Sequence, residues 1–140
     1  MASPHLTGGC GCGGVKFEID EPLVGAAYCH CTRCQRRTGG AASASALMKP
    51  GSLRIVQGED KVKAWTPEDG WAKHFCGDCG SALFGGRTED EPRVVRMGVL
   101  DGDPGIRPIA RQFVANAAPW EPIPDDGLHR FDGSMPVPDD

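Results

Sequence analysis

Hydrophobic and polar positions alternate in short runs along much of the chain. Val15, Phe17 and Ile19 interleave with Lys16 and Glu18, the two-residue period of a strand that buries one face. Similar runs predict strands over 23–31, 42–48, 52–56, 62–66, 71–76, 82–84, 94–99 and 112–115. One short helix is expected over Thr32–Thr38, capped by Thr32 and stopped by Gly39-Gly40 after two turns or fewer. Beyond Pro119 the prolines at 122, 124, 136 and 138, set among aspartates, favour an extended strap over a packed element. These signals describe a mostly β chain of short antiparallel strands. It forms a single domain over 1–134 with a frayed tail at 135–140, and neither an internal repeat nor a linker divides it.

Composition supports this reading. Twenty glycines in 140 residues, about twice the usual ~7%, join 12 prolines in breaking the chain too often for long helices. A chain of this length should bury about 70% of its unfolded surface, enough for a modest core. No apolar run approaches the roughly 20 residues that cross a bilayer, and the opening stretch 1–9 is polar and glycine-rich, unlike an export signal. The expected location is therefore cytoplasmic, with no membrane partner. Fifteen basic against 19 acidic side chains leave a net charge of -4, which gives no long-range attraction to nucleic acid. Nucleic acid would need a local patch, and Trp65, Trp71 and Trp120 are more economically read as core or rim packing.

The seven cysteines change the picture, because they fall into three groups: Cys10 with Cys12, then Cys29, Cys31 and Cys34, then Cys76 with Cys79. An odd count without an export signal argues against a disulfide framework. Cys76-Gly77-Asp78-Cys79-Gly80 has the form of a zinc knuckle. Cys10-Gly11-Cys12 sets two thiolates on one side of an extended segment, where both can reach one metal. Zinc takes four ligands, so Cys10, Cys12, Cys76 and Cys79 are assigned to a closed structural site.

Cys29, Cys31 and Cys34 lie within six residues and can reach a second zinc. Its fourth ligand is left open by the residues alone. It is either a vacant position, as in a catalytic site, or a histidine that closes a structural one. His30 alternates with its cysteine neighbours and should point away, and His5, His74 and His129 remain candidates. Three thiolates on a divalent zinc carry a net charge of about -1, a poor setting for polarising water and a better one for holding an incoming thiol as thiolate. Arg33, Arg36 and Arg37 crowd the same turn, either as a clamp for substrate carboxylates or as a solvated face.

Three segments together resemble the glutathione-dependent formaldehyde-activating, or centromere-protein-V-like, family. They are Gly8-Gly9-Cys10-Gly11-Cys12-Gly13-Gly14-Val15, Cys29-His30-Cys31-Thr32-Arg33-Cys34-Gln35-Arg36-Arg37-Thr38-Gly39, and Phe75-Cys76-Gly77-Asp78-Cys79-Gly80-Ser81. The resemblance implies a β-tent zinc fold, with the outer cysteine pairs on a structural zinc and Cys29, Cys31 and Cys34 on a catalytic one with an open position. It further implies a carbon–sulfur lyase that joins glutathione to formaldehyde as S-(hydroxymethyl)glutathione. The partners would then be a small-molecule thiol and an aldehyde. The alternative is a non-catalytic zinc-stabilised binding module. One segment departs from the pattern: Arg111-Gln112 stand where members often have histidine and isoleucine, and Arg111 is expected to face solvent.

Overall fold

The computed structural model describes residues 5–89 and 91–136. Its strands are β1 (Leu6–Gly9), β2 (Lys16–Ile19), β3 (Gly25–Cys29), β4 (Ser43–Leu47), β5 (Leu53–Gln57), β6 (Val62–Trp65), β7 (Ala72–Cys76), β8 (Ala82–Gly86), β9 (Val94–Arg96), β10 (Ala110–Gln112) and β11 (His129–Arg130). A single short α-helix among the described residues, α1 (Thr32–Thr38), joins β3 to β4. The strands form a three-stranded sheet, β1-β2-β5, and an eight-stranded sheet, β11-β10-β3-β4-β9-β8-β7-β6. The fold is mostly β, as the short alternating runs predict. Its ladders are antiparallel except around β10, which runs parallel to both β3 and β11.

Between the sheets lies one apolar core. Val15, Phe17 and Ile19 are almost wholly buried, and Lys16 between them is exposed. The Phe17 ring meets Phe84 edge to face at 5.9 Å, which ties the small sheet to the large one. Met48, Leu83 and Val95 complete the centre, each such side chain contributing about 1.5–3 kcal/mol on burial.

Several strands depart from the sequence expectation: the run expected over 94–99 is β9 only as far as Arg96, with a 3₁₀ turn at Met97–Val99 after it. β1 carries little apolar alternation because Gly8 must lie flat on Phe17: a Cβ there would stand 2.5 Å from the ring and 2.6 Å from the Val99 carbonyl. The segment expected at 112–115 is instead β10, ended early by Phe113, whose φ of 57° leaves the strand region and starts a 3₁₀ turn at Val114–Asn116. The strap past Pro119 is extended as expected, but it also contributes β11. The Met135 N–H donates to Gln112 Oε1, whereas 137–140 of the expected frayed tail lie outside the described residues.

Helix α1 spans the expected residues but is capped differently. Cys31, in extended conformation, takes the cap position, and its Sγ accepts from the Cys34 N–H at 3.3 Å. Thr32 is already the first helical residue, so the cap belongs to sulfur rather than to its hydroxyl. Gly39, at φ 71°, closes the far end.

Candidate metal centres

Cys10 and Cys12 lie in the turn between β1 and β2, and Cys76 and Cys79 lie on the turn that ends β7. Packing of the small sheet against the large one brings the four together: Cys10 Sγ is 3.5 Å from Cys12 Sγ, which is 3.9 Å from Cys76 Sγ, and all four sulfurs lie within 4.8 Å of one another. Sulfurs at about 2.3 Å from one tetrahedral zinc would be separated by about 3.8 Å, so the cluster has the dimensions the ion requires. Backbone and hydroxyl donors already face this set. The Val15 N–H reaches Cys10 Sγ at 3.2 Å, and Ser81 Oγ lies 3.3 Å from Cys79 Sγ while accepting from the Gly11 N–H. The Ser81 hydroxyl and amide lower the Cys79 thiol to about 5. Against the lowering effect of the Gly14 amide, the Cys10 and Cys79 sulfurs push Cys12 up to about 11.

The second cluster sits where β3 runs into α1. Cys29, Cys31 and Cys34 again place their sulfurs within 4.8 Å of one another, with Cys34 buried and the other two half-buried. Hydrogen bonding to Cys29 and Cys31 holds Cys34 far below the ordinary thiol range despite its burial, and the same contacts raise Cys29 far above it. The trio is thus preset to carry negative charge. Ser43, opposite Cys29 in the β3–β4 ladder, is 5% exposed and also lowers Cys34. Gln35 fixes the turn by donating to the His30 and Asn116 carbonyls, both at 2.8 Å.

Among the described residues no histidine joins the trio. His30 points away, as its alternation with the cysteines requires, and its Nε2 lies 3.2 Å from Arg111 Nη1. His74 packs its ring on Phe84, while His5 and His129 are exposed.

The three expected arginines diverge from the helix. Arg33 pairs with Asp69 and lies over the Trp65 ring. Arg36 is exposed beside a cleft of about 280 Å³ that Trp120 also lines. Arg37 is half-buried, and among the described residues its Nε has no hydrogen-bond partner. Arg33 and Arg37 both feel the Cys34 sulfur, so the structure brings these two to the trio and turns Arg36 elsewhere.

Arg111 does not face solvent. Its side chain is only 12% exposed, pairs with Asp126 at 2.7 Å and stacks over Tyr28 at 4.3 Å. It lines a cavity of about 250 Å³ with His30, Ser43 and Pro122, and pins the strap to β10. Three further polar residues near the trio, Ser43, Lys73 and Arg96, escape a reading by spacing alone. The one visible signal was Arg96, a charge inside an otherwise apolar run.

A mostly β chain with two thiol clusters, each of dimensions that could hold a metal ion, defines the class of cysteine-rich β proteins. The family model for the glutathione-dependent formaldehyde-activating enzyme matches residues 5–116, and the chain belongs to that family. A Halomonas elongata protein named "Putative glutathione-dependent formaldehyde-activating enzyme" is 32% identical over 88 residues, covering 56% of this chain and 54% of its own length. The chain therefore matches about half the length of this curated relative. A crystal structure of a Rhodobacter sphaeroides protein superposes with a TM-score of 0.56 at 26% identity, covering 89% of this chain and 98% of that one.

Proposed function

We propose that the protein is a zinc-dependent carbon–sulfur lyase that joins a glutathione-like thiol to a small aldehyde at Cys29, Cys31 and Cys34. The observation that supports this most is a three-sulfur cluster with no histidine, among the described residues, to close it. The family and the name of the Halomonas relative supply the substrate pair, glutathione and formaldehyde. Cys10, Cys12, Cys76 and Cys79 are read as the structural zinc site. Seven unpaired thiols suit a reducing compartment, and the cytoplasm is the proposed location.

The reaction is an addition. The thiol sulfur bonds to the carbonyl carbon, and the π electrons and the thiol proton both end on the carbonyl oxygen, so nothing is oxidised. A zinc held by the trio would supply the charge that keeps an incoming sulfur as thiolate. The chain's own residues do the rest. Cys34 is one of the three sulfurs that would hold the ion, and Ser43 stands beside it as a hydrogen-bond donor to its thiolate. Gln35 fixes the loop that carries the cluster.

The zinc-loaded protein should contain two zinc ions per chain. Cys31→Ser should retain the fold and lose glutathione-dependent turnover of formaldehyde. Equal turnover in parent and variant would remove the enzyme reading in favour of a binding module.

A further inference from the structure

The outer face of the eight-stranded sheet is basic beside the trio. Directly paired residues of an antiparallel ladder share a face, so Cys29 with Ser43, and Ser45 with Arg96, put all four on one side. The same rule carries through β8 to β7. Gly85 pairs with Val94, two residues from Arg96, and with Lys73 on its other side, and Lys73 in turn pairs with Trp65. Gly85 adds no side chain, so Lys73 and Arg96 look across a bare strip of sheet. Helix α1 lies at the β3–β4 end of this face and directs Arg33 and Arg37 towards it.

Three of the cations there make no ion pair among the described residues. Arg33 is neutralised by Asp69. Among the described residues no ion pair reaches Arg37, Lys73 or Arg96: Arg96 donates only to Ser45 Oγ, Lys73 lies over the Trp71 ring, and the buried Arg37 Nε has no partner. Arg37 and Lys73 are both half-buried: after burial itself, Arg37 feels repulsion from Arg96 and attraction from Cys34. Lys73 feels first the attraction of Asp69, which Arg33 already neutralises, and then repulsion from Arg33 and Arg96. Three thiolates on a divalent ion offset one of these charges, which leaves about two positive charges unmatched. Half-buried cations without partners are costly unless a ligand supplies the anion.

We infer that Arg37, Lys73 and Arg96 form a carboxylate-binding subsite beside the three-cysteine centre, which selects thiol substrates that carry an acid group. The inference rests on the thiol–aldehyde reading above. It keeps Arg37 of the expected clamp and replaces Arg33 and Arg36 by Lys73 of β7 and Arg96 of β9. The separation between the reacting sulfur and the acid group then becomes a determinant of specificity.

Isothermal titration of the zinc-loaded protein tests it with three probes: glutathione, its diethyl ester, which has no free carboxylate, and S-methylglutathione, which has no free thiol. Glutathione should bind at least tenfold more tightly than the diester. Arg96→Gln and Lys73→Met should each weaken glutathione about tenfold while changing the diester less than twofold. Arg107→Gln, which alters an exposed pair with Asp103, should change neither. Equal affinity of parent protein for glutathione and diester, or equal losses for both in the variants, would overturn the subsite and leave the thiol reading standing. S-methylglutathione binding as tightly as glutathione would instead sink the thiol reading and leave the acid subsite. If no probe binds, both fail.

Discussion

Gly58→Ala should weaken the fold and the four-cysteine centre together, and its size can be worked from the backbone. Gly58 has φ of 76°, and a Cβ there would stand 2.0 Å from the Gly14 carbonyl oxygen and 3.2 Å from Val15 Cα. The left-handed conformation costs alanine about 1 kcal/mol. The collision is with backbone, which has no rotamer to yield, and overpacking of this kind costs about 1–3 kcal/mol more. Gly13 is the control: its φ is 78° but a Cβ would meet nothing within 4 Å, so Gly13→Ala should show the strain alone. At about 2.1 cal/mol/K per residue, unfolding of this chain has an entropy near 0.3 kcal/mol/K, or about 3 °C per kcal/mol. Gly58→Ala should lower the melting temperature by about 10 °C and Gly13→Ala by about 3 °C. The displaced segment carries the Val15 N–H that donates to Cys10 Sγ. Gly58→Ala should therefore also surrender zinc to a chromogenic chelator faster than either comparator. Thermal unfolding of zinc-loaded proteins, paired with chelator kinetics, reads both effects. Melting temperatures within about 2 °C of each other, or parental zinc retention in Gly58→Ala, would refute the reasoning.

Cys76→Ser removes a fully buried sulfur from the cluster that joins the β1–β2 turn to β7, and should abolish a cooperative transition; an unchanged melting curve would contradict its role. Zinc must displace protons from Cys12 and Cys29, whose thiols are raised, so zinc affinity should climb with pH and binding should release protons in calorimetry across buffers of different ionisation enthalpy. Asp126 is lowered by the Arg111 guanidinium, then by the Leu128 N–H. The stability it lends is present above the ordinary value of 3.8 and is lost as pH falls through its lower folded value; Asp126→Asn should flatten that acid loss in a series of melts. Arg111→Gln should free the strap, read as faster hydrogen exchange at the β11 amides with slower change in the core strands.

The pattern of the chain disclosed the elements whose side chains alternate freely and the cysteines whose spacing is local. β2 announced itself because Phe17 and Ile19 both point inward, and the trio because all three thiols fall within six residues. What escaped notice depends on approach between distant segments. Gly8 forms a strand by lying under Phe17, a contact that leaves no apolar letter to read. Phe113 ends β10 through a backbone conformation that its identity does not advertise. Arg111 was expected in solvent because a short strand can turn one face to water; Tyr28 and Asp126, 83 and 15 residues away, bring it inside. The basic face had the same difficulty: Arg37, Lys73 and Arg96 become neighbours only once β7, β8, β9 and β4 are in register.

Cadmium-113 NMR of the protein reconstituted with that ion, before and after glutathione, tests the two-centre account most directly. It should show two resonances, one in the position of four-sulfur coordination that ignores the thiol, and one of three-sulfur coordination that moves towards the first as the thiol joins. A single resonance, or two that glutathione leaves in place, would contradict the account.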